Sequence, residues 1–176
     1  MDLEAQFKEI KTSAKFGDLI EFSCTNGNSH WAIYDDDGHV LHFAVPDEVM
    51  LLNNSQHTHT QLQIAFPRQG DPLRTTSRIR RVSLGEITLP KHVRILIRNH
   101  RYDLTPSSPE EIRRRFDALE DVELPYNMLM LNCEHFATFV RYGKAICNQI
   151  PTKPKNAETK SATKIFRDIV DSKDPS

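Results

Sequence analysis

In the first half of the chain, apolar residues come in short runs suited to strands; from Ser108 onward they recur at helical spacing. Phe16-Gly17-Asp18 opens Leu19-Ile20-Glu21-Phe22, a first strand. Trp31-Ala32-Ile33-Tyr34 and Val40-Leu41-His42-Phe43 follow as a second and a third, and Asp35-Asp36-Asp37-Gly38 between them is a strong hairpin signal. Ile79 to Val82 and Val93 to Ile97 add further strands. In the latter, Val93, Ile95 and Ile97 share one face and Arg94 and Arg98 the other, which suits an antiparallel sheet with one wet side. Residues 47–77 read as a long polar loop holding at most one edge strand, and the first dozen residues as a short amphipathic or frayed lead-in.

The helical half starts with a cap. Ser108 precedes Pro109 at the first helical position, and Glu111 stands three residues after the cap. Ile112, Phe116 and Leu119 then form one buried stripe. Pro125 is read as lying in a turn. From Asn132 to about Tyr142 the placement of Phe136, Phe139 and Val140 is helical, and Gly143 supplies the stop. Pro151-Thr152-Lys153-Pro154-Lys155 reads as a mobile linker. Residues 158–171 follow as a short helix whose apolar group is Ile165, Phe166, Ile169 and Val170. The expected organisation is one α+β domain over residues 1–150 and a charged, mobile tail over 151–176.

Composition bounds the partners. The 23 Lys and Arg nearly balance 24 Asp and Glu, for a net charge of −1, which gives no global pull toward nucleic acid or anionic lipid. The distribution is uneven: residues 68–115 hold twelve Lys and Arg against five acids, a local excess suited either to a solvated face or to peripheral contact with phosphate head groups at a membrane. No run approaches the ~18 apolar residues of a membrane-spanning helix. The first residues lack the apolar core of a secretory signal, so a cytoplasmic protein, able to meet membranes peripherally, is expected. With three cysteines (Cys24, Cys133, Cys147) and a reducing compartment, thiols are expected rather than bridges.

Cys133 is the residue with chemistry in view. It stands in Leu131-Asn132-Cys133-Glu134-His135-Phe136, where loop becomes helix. There a thiolate is stabilised by the positive end of the dipole and by unpaired N–H groups, which could also hold an oxyanion. Two histidines offer themselves as partners. If Asp36-Asp37-Gly38 is a three-residue turn, Asp35 faces His39 and Ala32 faces His42, so His30 and His42 share a sheet face as diagonal neighbours. One imidazole could then take the thiol proton while the other holds it in the required tautomer. A two-residue turn at Asp37-Gly38 would put them on opposite faces. Trp31, alternating with His30, belongs to the core.

These segments resemble a known family. Phe16-Gly17-Asp18-Leu19-Ile20-Glu21, His30-Trp31-Ala32-Ile33-Tyr34, Leu41-His42 and Asn132-Cys133-Glu134-His135-Phe136 with Arg141-Tyr142-Gly143 are similar to the lecithin:retinol acyltransferase family, over residues 15–146. The nearest branch by these motifs is the phospholipase A and acyltransferase group. The resemblance implies a circularly permuted papain-like α+β domain, an antiparallel sheet packed on helices, with His before Cys and the nucleophile at a helix N-terminus. It makes His30 the general base, His42 the polar third member and Cys133 the acyl-accepting nucleophile. It adds Tyr126 as an oxyanion contact, and beside Cys133 the residues Asn132 and His135 are read as supporting ones. The implied chemistry removes an acyl chain from a glycerophospholipid, holds it as a thioester and passes it to water, an amine or an alcohol, with no metal or cofactor. Family members usually end in a hydrophobic anchor, from which this charged tail departs, and Asp47 to Arg101 offers little to align.

Other readings compete. Retinol esterification fits less well, because the Trp after His30 is more like the phospholipase branch. A cysteine peptidase or amidase shares the Cys–His chemistry, and a non-catalytic regulatory interaction protein could keep the fold. His135, two residues past Cys133 on the same helix, points to a different face, which favours a structural role over that of base. A zinc site from Cys133, His135 and the strand histidines lacks any ligand pair with zinc-finger spacing.

Overall fold

The computed structural model describes residues 2–24, 29–44, 75–87, 89, 92–100, 102–127, 130–147 and 155–173. The elements in chain order are α1 (Leu3–Ser13), β1 (Leu19–Ser23), β2 (Ser29–Tyr34), β3 (His39–Phe43), β4 (Thr75–Ser83), a 3-10 turn (Leu84–Glu86), β5 (Arg94–Ile97), α2 (Pro109–Leu119), β6 (Glu123–Tyr126), α3 (Cys133–Tyr142) and α4 (Lys155–Lys173). The fold is α+β. Six strands form one sheet in the order β5-β1-β2-β3-β4-β6, with every pairing antiparallel.

Alternation along the strands sorts their apolar residues into two clusters, one on each face. Leu19, Trp31, Ile33, Leu41, Phe43 and Ile79 pack with α2, α3 and α4. Ile20, Phe22, Ala32, Tyr34 and Val40 pack with Ile10 of α1 and Ile95 of β5. Helix α1 is firmly attached rather than frayed. Its buried Gln6 donates from Nε2 to the Val93 carbonyl at 3.0 Å and accepts the Ile95 N–H on Oε1 at 2.7 Å, so it satisfies backbone groups of the β5 edge. The expected strand from Ile79 to Val82 is longer, running from Thr75 to Ser83. The Pro125 region is a strand and not a turn: β6 pairs with β4 at the sheet edge, where a residue without an N–H costs no ladder bond.

The hairpin joining β2 and β3 fixes the register on which the site depends. The Asp35 N–H donates to the His39 carbonyl at 2.8 Å, which leaves Asp36, Asp37 and Gly38 as a three-residue turn. Asp37 and Gly38 both take positive φ, 58° and 77°, a conformation that Asp tolerates and Gly adopts freely. Ala32 faces His42 in consequence, as the three-residue turn requires.

Helix α3 is buried on every side, from Cys133 to Tyr142. Such a helix must satisfy its polar residues internally. Glu134 accepts the Tyr102 hydroxyl, and Thr138 Oγ1 donates to the Glu134 carbonyl at 2.8 Å. Arg141 Nη1 donates to the Gly17 carbonyl at 2.7 Å. Gly143, at φ 82°, closes the helix as expected. Helix α2 opens on the predicted cap, with Ser108 Oγ accepting the Glu111 N–H at 3.2 Å, and buries Ile112, Phe116 and Leu119.

The expectation for the C-terminal segment needs correcting. A mobile tail is expected from residue 151, but residues 155–173 form a 19-residue helix packed into the core. The face it buries carries Ala162, Phe166 and Val170, four residues apart; Ile165, counted in the apolar group, is 37% exposed. Phe166 stacks on Phe139 at 5.4 Å between ring centroids and lies 6.0 Å from Phe136. In the basic segment 68–115 part of the described charge is balanced by ion pairs. Among its described arginines, Arg78, Arg81, Arg98, Arg113, Arg114 and Arg115 all pair with carboxylates, several contributed from outside the segment (Glu123, Asp35, Glu21, Asp117, Asp171). Arg80 and Arg94 are exposed; Arg68, Arg74, Lys91 and Arg101 lie outside the described residues, as does most of the loop 47–77.

Candidate active site

The sheet brings the two predicted histidines together. His30 Nε2 and His42 Nδ1 stand 2.8 Å apart, with ring centroids separated by 5.0 Å and planes at 77°. Phe22, directly across from His30 on β1, stacks on it at 5.7 Å. Both imidazoles are almost inaccessible, His30 at 2% and His42 at 6%. Burial is the main reason that His30 loses its proton well below the usual pH 6.5, with the neighbouring His42 adding to the effect. His42 is lowered to about 4, again chiefly by burial and then by the charge of Arg80, its cross-strand neighbour on β4. Both rings are therefore neutral at neutral pH. His30 Nδ1 is buried and has no hydrogen-bond partner in the structure.

Cys133 is the first residue of α3, with Asn132 as the N-cap. Asn132 Oδ1 accepts the N–H groups of Glu134 at 2.9 Å and His135 at 3.1 Å, and Nδ2 donates to Cys147 Sγ at 3.3 Å. The Cys133 N–H donates to the Tyr126 hydroxyl oxygen at 3.3 Å. A phenol and a backbone N–H thus stand side by side at the helix start. None of the three cysteines is in a disulfide.

The direction of α3 follows from its two ends. Arg141, near the C-terminus, bonds Gly17, whose N–H donates to the Tyr34 carbonyl at the end of β2. At the N-terminus, Tyr126 packs on Phe43, next to His42, with ring centroids 4.9 Å apart. Helix α3 therefore runs parallel to β2, and its N-terminus lies at the end of the sheet that carries His30 and His42. The histidines leave the sheet on the Phe22 side, whereas Cys133 packs in the cluster with Trp31 and Phe43. What they share is the end of the sheet and not a face. No hydrogen bond joins His30 Nδ1 to the thiol.

His135 is directed away from catalysis by its bonds. Its Nδ1 accepts the Asn132 N–H at 3.1 Å, and its Nε2 meets Glu158 of α4 at 2.7 Å. With Cys147, these residues place a ring nitrogen, a sulfur and a carboxylate oxygen within 4.8 Å of one another, a donor set that could attract a divalent cation. The hydrogen bonds assign the group differently. Because Nδ1 is an acceptor, the neutral ring carries its proton on Nε2, the atom a metal would need. The 2.7 Å separation from Glu158 is also shorter than the about 3.3 Å edge between two ligands of tetrahedral zinc. Glu158 has no local signal in the sequence, since it stands 23 residues from its partner in a segment that composition reads as tail.

Most of the chain is similar to known proteins. Residues 12–146 match the model of the lecithin retinol acyltransferase family, and the chain belongs to that family. Among characterised relatives it is similar to human phospholipase A and acyltransferase 1, 31% identical over 135 residues, which cover 76% of this chain and 70% of the relative. Human phospholipase A and acyltransferase 2 is 30% identical over 138 residues, covering 77% and 75%; human phospholipase A and acyltransferase 4 is 30% identical over 142 residues, covering 77% and 74%. Among the described residues no helix is long and apolar enough to cross a membrane.

Proposed function

We propose that the chain is an acyl-transfer enzyme acting on glycerophospholipids through a Cys133 thioester, with phospholipase A1/A2 and O- or N-acyltransferase activity, on a circularly permuted papain-like domain. The observation that carries the reading is the His30–His42 pair: Nε2 of His30 is engaged at 2.8 Å while its Nδ1 is buried and unpartnered. A neutral His30 that donates Nε2–H to His42 keeps a lone pair on Nδ1, which is what a general base needs. Family membership and the names of the relatives support the substrate class.

In this mechanism His30 Nδ1 takes the Cys133 proton as Sγ attacks an ester carbonyl carbon. The tetrahedral oxyanion forms against the Tyr126 hydroxyl and the Cys133 N–H, which stand together at the helix start. Collapse breaks the ester C–O bond, and His30 returns the proton to the departing lysophospholipid oxygen. The acyl group is then held as a thioester. Water, an amine or an alcohol gives a proton to His30, attacks the thioester carbonyl and releases the product, and the proton returns to the thiolate. Burial keeps the resting His30 imidazole neutral, so its Nδ1 is ready to take a proton.

Turnover of phosphatidylcholine vesicles carrying a labelled acyl chain tests the reading. Wild type releases labelled fatty acid or moves label to an added amine or lysophospholipid, whereas Cys133→Ser and His30→Ala do not. Equal turnover in Cys133→Ser would sink the thiol mechanism, and turnover of peptide amides in place of lipid would favour a peptidase.

A further inference from the structure

The family match ends at residue 146, yet the hydrogen bonds at the start of the nucleophile helix continue into α4. They form a chain with one consistent proton assignment. The Asn132 N–H donates to His135 Nδ1 at 3.1 Å, the ring proton on Nε2 is given to Glu158 at 2.7 Å, and every member is buried, His135 at 0% and Glu158 at 7%. A carboxylate here accepts only, so it selects the Nε2–H tautomer; that tautomer in turn is the only neutral form whose Nδ1 can accept the Asn132 N–H. Asn132 is fixed on its side chain as well, by the N–H groups of Glu134 and His135 and by Cys147. The next residue is Cys133.

We propose that α4 is a built-in clamp of the active site, with Glu158 as a positioning residue that sets the tautomer of His135 and thereby fixes the Asn132–Cys133 junction. This rests on the reading of Cys133 as nucleophile and deepens it. Glu158 acts here through another residue. Its effect passes through the ring of His135, and the apolar face of Ala162, Phe166 and Val170 holds the helix that delivers it. The loop-to-helix junction of the catalytic cysteine is therefore tied to a segment outside the family domain. Displacing α4 would turn the site down without touching the His30–His42 pair.

The test uses the full chain and two readouts: the acylation rate constant of Cys133 at saturating phosphatidylcholine vesicles, and the rate at which iodoacetamide alkylates Cys133 without lipid, followed on the Cys133 peptide by mass spectrometry. Glu158→Ala is expected to slow acylation about tenfold or more, by analogy with loss of a carboxylate that orients a functional His, with little change in half-saturating lipid. It should also speed alkylation, because a loosened junction exposes a thiol that is 1% accessible. Glu158→Gln should stay within about threefold of wild type on both, since its amide oxygen still accepts from Nε2–H. Val170→Ala weakens the apolar seat of α4 while keeping Glu158, and below its melting temperature should move both rates in the same direction as Glu158→Ala but less far. The clamp is overturned if Glu158→Ala matches wild type on both readouts, if Glu158→Gln falls as far as Glu158→Ala, or if Val170→Ala, which keeps the carboxylate, slows acylation more than Glu158→Ala does. Should wild type form no thioester, the proposed function fails, while the alkylation series still decides the clamp.

Discussion

His30 and His42 sit diagonally across a hairpin, with ring nitrogens 2.8 Å apart, and they do so because the turn between their strands holds three residues and not two. The side-chain period of a strand is two, so one residue fewer would send one imidazole to the opposite face. Deleting Asp37 is therefore expected to abolish acyl transfer and, because the same slip turns the buried Leu41 and Phe43 away from their cluster, to lower stability as well. The check pairs an activity assay with circular dichroism; retained activity would show that the pair is not needed.

Gly38 carries the strain of that turn. At φ 77°, an added Cβ would also lie 3.0 Å from Lys11 Cδ. Gly38→Ala should cost about 1–2 kcal/mol from the left-handed backbone, and the flexible Lys11 chain can move aside. A shift in urea midpoint at unchanged m-value measures it.

Removing His42 should slow acylation about 100-fold, and removing His30 about 1,000-fold, because orienting and proton-accepting groups act as one unit. The double variant should be barely slower than His30→Ala alone. Additive losses in single-turnover kinetics would mean that the rings work independently.

Acid sensitivity follows from the two depressed pKa values. Between pH 6.5 and about 4 the unfolded chain protonates its His42 side chain and the folded chain does not, so unfolding takes up a proton. Stability is then complete above the ordinary histidine value and falls as pH falls, by about 1.4 kcal/mol per pH unit for each such histidine. His30, also held well below 6.5, acts in the same sense. His42→Asn should flatten this slope in urea titrations at about pH 5 and about pH 7.5. The acid limb of acylation should likewise lie below the range of an ordinary histidine.

Phe166 anchors α4 among Phe43, Phe136 and Phe139 and is fully buried. Phe166→Ala should lose about 3–5 kcal/mol, the usual cost of emptying a core aromatic site. Chemical denaturation tests this, and a change below about 1 kcal/mol would mean that α4 adds little to the core.

Local signals made much of the site legible. The Asp-rich turn ending in Gly38, the alternation that puts Trp31 opposite His30, the Ser108-Pro109 cap and the Gly143 stop each act over a few residues, and each is present. What escaped depends on partners distant in sequence. Pro125 looks like a turn until β4 lies beside it at the sheet edge. Gln6 marks nothing until β5 offers its backbone. The arginines of 68–115 look like a patch until carboxylates from other segments pair with them. The stripe of α4 was hidden because two adjacent apolar pairs, Ile165-Phe166 and Ile169-Val170, obscure the four-residue spacing of Ala162, Phe166 and Val170.

The central claim is that Cys133 carries the acyl group. The direct measurement is intact-protein and peptide mass spectrometry after rapid acid quench from phosphatidylcholine vesicles. One fatty acyl group on the Cys133 peptide, removed by hydroxylamine and missing from Cys133→Ser and His30→Ala, is the predicted result. Lipid turnover with no acyl group on Cys133, or with the adduct on Cys24 or Cys147, would contradict it.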